Sequence, residues 1–166
     1  YFHLFENTLG PVPLIGLRED EIASIRQGML DASPKPLGTV PIYETISLLG
    51  DIPKMDPKFL IGVIRRQAEQ GVDFMTLHAG LLLKHIPNAM KRKMGIVSRG
   101  GAIMAEWMME NKAENPLYTH WDEVMDILAE HDVTVAVTAD AQDFPVQVAF
   151  AGDGPVSGSS EAGVDS

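Results

Sequence analysis

The run Gly95-Ile96-Val97-Ser98-Arg99-Gly100-Gly101-Ala102-Ile103-Met104 joins a short apolar stretch to a cationic, glycine-paired turn at the head of a helix. Such a junction suits an anion. The glycines let backbone approach a ligand closely, the free amides of the first helical turn point at it, and Arg99 adds a planar fork of donors. Phosphate or carboxylate is the natural guest, although the same residues also serve simply to start a helix. Two further strand ends carry polar groups: Tyr43 after Val40-Pro41-Ile42, and His78 after Met75-Thr76-Leu77. Tyr43 either offers its hydroxyl to a ligand or packs its ring beneath a loop. His78 either orients a ligand or moves a proton, or is a satisfied strand-end histidine. Ser98 has no general base close in sequence, which argues against a nucleophile. His85, His120 and His131 fall on helices or helix ends without metal-ligand spacing, so no metal ligand is assigned. Asp73 stands at the amino end of its strand, the wrong end for catalysis.

The elements that must position these groups alternate between strand and helix periods, the pattern of β-α units and a parallel sheet. Helices are predicted over 20–32, from Asp56-Pro57 to about Gln70 with Gly71 as C-cap, over 81–93, over 101–111, and from Thr119 or His120 onward. Strands are predicted at 37–42, 72–77, Ile96-Val97 and 133–137. Ile22, Ile25, Met29 and Leu30 form the apolar face of the first helix; Met104, Trp107 and Met108 read as packing against the sheet. Placing chemistry at successive carboxyl strand ends is the rule of a (β/α)8 barrel, and open doubly wound sheets follow it too. The fold expected is α/β, a partial (β/α)8 TIM-type barrel of about four β-α units. Residues 1–19 form a divergent N-terminal segment, 20–138 the central part of the barrel, and 139–166 a divergent, disordered acidic tail.

With 166 residues and 45% hydrophobic content, the chain can bury one sizeable core. All 13 Lys and Arg lie at or before Lys112 together with 12 of the 23 acids, so the first part is nearly neutral and the rest carries only acids. A net charge of -10 argues against nucleic acid as a partner, while the cations around Arg99 leave the first part able to receive an anion. No apolar run approaches the ~20 residues of a membrane span, which points to a cytoplasmic protein without a membrane partner. Cysteine is absent, which excludes disulfides, thiolate zinc sites, cysteine nucleophiles and cysteine-held clusters from these residues.

Five ordered blocks carry a family resemblance. They are Asp31-Ala32-Ser33-Pro34; Gly38-Thr39-Val40-Pro41-Ile42-Tyr43; Gln67 to Phe74 with Leu77-His78-Ala79-Gly80; Gly95 to Gly101 with Ile103-Met104-Ala105; and Glu114-Asn115-Pro116-Leu117-Tyr118. In order and spacing, over about residues 20–135, the chain resembles phosphomethylpyrimidine synthase of thiamine biosynthesis. The resemblance implies a (β/α)8-barrel radical S-adenosylmethionine enzyme, a carbon-carbon lyase that rearranges 5-aminoimidazole ribonucleotide into hydroxymethylpyrimidine phosphate. It implies a 4Fe-4S cluster, S-adenosylmethionine and a divalent metal, zinc, in the full-length family, and a homodimer there. It places substrate contacts on Tyr43, His78, Ser98, Arg99 and Gly100; which of them meets the phosphate stays open.

The departures from the family pattern are as specific as the matches. Phe5-Glu6-Asn7-Thr8-Leu9-Gly10 does not match the family's upstream substrate segment, and Val137 to Gln142 stands where an Asp-Gly-Leu-Arg-Pro-Gly loop is expected. The later glutamate, the two metal-binding histidines and the triple-cysteine motif are missing. Without cysteines, the 166-residue chain alone is expected to be inactive, a fragment or frameshifted product of such an enzyme. The alternatives are the related 5-hydroxybenzimidazole synthase and a non-catalytic truncated paralogue that binds a ribonucleotide.

Overall fold

The computed structural model describes residues 16–91, 93, 95–137 and 148–149. They form a mixed α/β unit whose sheet has the order β1-β2-β3-β4, with β1 at Gly38–Thr39, β2 at Phe74–Leu77, β3 at Thr134–Val137 and β4 at Val148–Ala149. The first three strands are parallel and in sequence order; β4 runs antiparallel to β3. That antiparallel strand departs from an all-parallel barrel. It also lies within the segment expected to be a disordered tail; the rest of that tail and residues 1–15 fall outside the described residues.

The helices are α1 (Glu19–Ala32), α2 (Pro41–Leu49), α3 (Pro57–Glu69), α4 (Ile86–Met90), α5 (Arg99–Asn111), α6 (Pro116–Thr119) and α7 (Trp121–Glu130), with 3-10 turns at Ile52–Lys54 and Leu83–His85. Local sequence explains their ends. Asp56 caps α3 by accepting from the Lys58 amide at 2.9 Å, Pro57 takes the first helical position, and Gly71 turns out of the helix at φ 88°. Leu60, Ile64 and Ala68 of α3, Met104 and Met108 of α5, and Val124, Ile127 and Leu128 of α7 bury one face each around Met75, Leu77 and Val135 of the sheet. Trp107 joins this core and donates its indole N–H to the Met55 carbonyl at 2.8 Å.

Three expectations need correcting. The strand predicted at 37–42 pairs only at Gly38–Thr39, because Pro41 starts α2; Tyr43 therefore sits in the first turn of a helix. Ile96-Val97 is not a strand. Strand β2 spends one edge on β1 and the other on β3, so the place between β2 and β3 that this pair would take in sequence order is closed, and Val97 is 68% exposed. The helix predicted over 81–93 is a 3-10 turn followed by the five-residue α4, so residues 78–98 make one long connection from β2 to α5.

Helix α1 also turns a different face inward than its pattern suggests. Ile25 is 42% exposed, whereas Arg26 is buried beside Ile22. Its guanidinium pairs with the buried Glu44 carboxylate and with Gln70. Gln67 donates to the same carboxylate at 2.6 Å and accepts from the Thr39 hydroxyl at 2.6 Å. One polar network thus ties α1, α2 and α3 to the end of β1. Burial pulls the Arg26 guanidinium below its usual range, and the charge of Glu44 opposes that pull.

Candidate functional site

The carboxyl ends of β1 and β2 and the amino end of α5 meet at one place. His78 is the first residue past β2, where it is 6% exposed. Its Nε2 lies 2.9 Å from the Ser98 hydroxyl oxygen. Ser98 is the N-cap of α5 and accepts the Gly101 amide at 3.1 Å, so α5 begins at Arg99, earlier than its apolar pattern suggests. Gly100 lies directly against the imidazole: a methyl placed on it would overlap the His78 ring atoms. Only glycine leaves room for that ring. Arg99 is exposed, and its guanidinium carbon stands 5.9 Å from the centre of the half-buried Tyr43 ring, a cation-π distance. The five residues singled out in the sequence are therefore assembled as two contacting groups, His78-Ser98-Gly100 and Tyr43-Arg99, joined through the first turn of α5.

Electrostatics at this place follow from burial. Desolvation lowers the His78 pKa to about 4, so the ring is neutral at pH 7. Its Nδ1 is buried and has no hydrogen-bond partner among the described residues. A buried polar atom left unpaired costs roughly 1–3 kcal/mol, so this nitrogen is a group that a ligand atom would satisfy. The amino end of α5, which favours negative charge, packs against the same ring through Ser98 and Gly100, and Arg99 adds a cation to that first turn. The arrangement can hold an anion and present a neutral imidazole edge to the same ligand. Asp73, set aside at the opposite end of its strand, there accepts the Leu37 amide at 2.6 Å and organises the strand starts.

Two neighbours escaped the sequence reading. Asn115 is fully buried and donates from Nδ2 to the carbonyls of His78 at 2.8 Å and Leu81 at 3.0 Å, while its Oδ1 accepts the Leu117 amide at 3.0 Å. Glu114 accepts the Leu83 amide at 2.8 Å and the Asn115 amide at 2.9 Å. The available signal was the pair Asn115-Pro116 at a helix start, inside the last of the five motif blocks, where neither Glu114 nor Asn115 was given a role.

A 4Fe-4S cluster does not fit this chain, because none of its residues is a cysteine. Among the described residues no group of three or more His, Asp or Glu side chains is placed to hold a metal ion. Nor is any helix among them long and apolar enough to cross a membrane.

Comparison with known proteins gives the same direction as the motifs. Residues 17–142 match the model of the radical SAM ThiC family. Phosphomethylpyrimidine synthase of Halobacterium salinarum (strain R1) is 50% identical over 118 residues, which cover 71% of this chain and 25% of that protein. Phosphomethylpyrimidine synthase of Natronomonas pharaonis is 49% identical over 117 residues, 70% of this chain and 24% of the relative. The chain thus spans about a quarter of the length of the curated relatives it matches. With the family model covering most of its length and half its aligned residues identical to such synthases, the chain belongs to the radical SAM ThiC family.

Proposed function

We propose that this chain supplies the ribonucleotide-binding part of a phosphomethylpyrimidine synthase, the enzyme that makes hydroxymethylpyrimidine phosphate from 5-aminoimidazole ribonucleotide in thiamine biosynthesis. The observation that carries the reading is the unpaired, buried Nδ1 of His78 beside the amino end of α5 and the Arg99 cation. In this reading the substrate phosphate meets the α5 amides and Arg99. His78 satisfies its free nitrogen on the base or ribose, and Tyr43 closes the side of the site. Strands β1, β2 and β3, parallel and in sequence order, support their being consecutive staves of a (β/α)8 barrel.

The family's radical chemistry is supplied by a cluster with S-adenosylmethionine. The cluster's thiolates are not among these 166 residues, so the part assigned to this chain is binding and orientation. The relatives carry the phosphomethylpyrimidine synthase name, which does not favour the 5-hydroxybenzimidazole alternative.

The test is calorimetric titration of 5-aminoimidazole ribonucleotide into a full-length synthase carrying this segment, beside its Arg99→Ala variant. Loss of one charge-assisted phosphate contact is expected to weaken binding by roughly 1.5–3 kcal/mol. Unchanged affinity would place the phosphate elsewhere.

A further inference from the structure

Among the described residues the β2 ladder runs as far as Leu77, which pairs with Val137, and the carbonyl of His78 lies one residue past it. Asn115 takes that carbonyl, and with its second amide hydrogen it takes the carbonyl of Leu81. Its oxygen is committed to the Leu117 amide at the head of α6. The side chain therefore locks the start of the β2–α5 connection onto a helix end, in a place without solvent to compete. Glu114 holds the same connection two residues further on, at the Leu83 amide. The imidazole of His78 departs from the backbone unit that Asn115 grips, and it fits only in the slot that Gly100 leaves open. A shift of that backbone would drive the ring into α5 or lift it away from Ser98.

We infer that Asn115 is a positioning residue, which sets the depth of the His78 imidazole beneath the amino end of α5 and thereby the direction of its free nitrogen. The inference rests on the reading of His78 as a ligand contact. A merely structural residue would change global stability; a positioning residue changes His78 first.

The test uses a full-length synthase with Asn115→Ser, which keeps a capping oxygen for α6 and removes both donated hydrogen bonds. Two quantities are read: the rate of carbethoxylation of His78 by diethylpyrocarbonate, followed by peptide mass spectrometry, and the affinity for 5-aminoimidazole ribonucleotide. His120 and His131 serve as internal controls for global loosening. The expected result is modification of His78 faster by about tenfold or more, the equivalent of two lost hydrogen bonds, with the controls unchanged and a comparable loss of affinity. Unchanged reactivity and affinity in the folded variant would overturn the inference and leave Asn115 as a cap of α6 alone. Should His78→Gln leave affinity intact while Asn115→Ser still exposes the ring, the positioning stands and the ligand reading of His78 fails. If Asn115→Ser does not fold, Glu114→Ala, which frees the Leu83 amide and keeps the cap, must raise His78 reactivity in the same direction. Unaltered reactivity there overturns the inference equally.

Discussion

Gly100 is the residue whose replacement is easiest to reason about, because its hydrogen faces an aromatic ring rather than space. Gly100→Ala must push the His78 imidazole or the head of α5 aside, at an overpacking cost of about 1–3 kcal/mol. We expect a lowered melting temperature and loss of ribonucleotide binding together, measured by thermal denaturation and calorimetry. Retained binding would show that the ring does not meet the ligand. His78 also imposes a pH dependence. The unfolded chain takes up its proton near the ordinary value of 6.5, whereas the buried ring does so only at about 4. Between those values the unfolded state binds more protons, so stability falls as pH drops through the window and levels off below it. The shift corresponds to about 3 kcal/mol at most. His78→Gln should flatten that part of the pH profile of the denaturation midpoint, and an unchanged profile would assign the acid sensitivity to other groups. The five candidate residues could be singled out because they stand at predicted strand ends and a glycine-paired helix start, inside the motif blocks of the family resemblance. Their mutual contacts were not legible, since His78 and Ser98 are 20 positions apart in sequence and no local pattern pairs them.

At the scale of elements, period and caps revealed α3, α5 and α7, whose apolar faces are as patterned in sequence as they are buried. What escaped was decided by competition between elements. Ile96-Val97 has strand-like residues but finds both edges of β2 taken, and α1 buries Arg26 because Glu44 lies opposite it. No local pattern announces a partner 18 residues away on another helix. The Arg26–Glu44 pair leads to a specific expectation. Arg26→Ala leaves a carboxylate buried without its cation and should cost about 3–5 kcal/mol, whereas Arg26→Met combined with Glu44→Leu should recover most of that loss. Gln67 would then lack an acceptor, so recovery should be incomplete. A double-mutant cycle by chemical denaturation measures the coupling, and additive effects would mean that the pair does not act as one unit.

At the scale of the whole molecule, a small sheet has to serve a chain that spans about a quarter of its relatives' length. Among the described residues β1 pairs only with β2, through two residues, so its other edge offers unpaired backbone groups. Large apolar side chains stand in water on the connection that carries His78 to Ser98: Met90 is 59% exposed and Val97 68% exposed. In a full-length synthase, further strands and helices are the natural cover for such an edge and such residues. Expressed alone, the 166-residue chain should cover them with copies of itself. The acidic excess, carried entirely after Lys112 on balance, opposes that association only over a screening distance of about 10 Å at 0.1 M salt. Self-association should therefore strengthen as salt is added. Light scattering coupled to size-exclusion chromatography across a salt series makes the comparison. Growth of the associated species with salt matches apolar contacts behind an electrostatic barrier. A monodisperse monomer with a cooperative thermal transition at every salt concentration would show that the exposed edge and the Met90–Val97 region are covered within the chain itself.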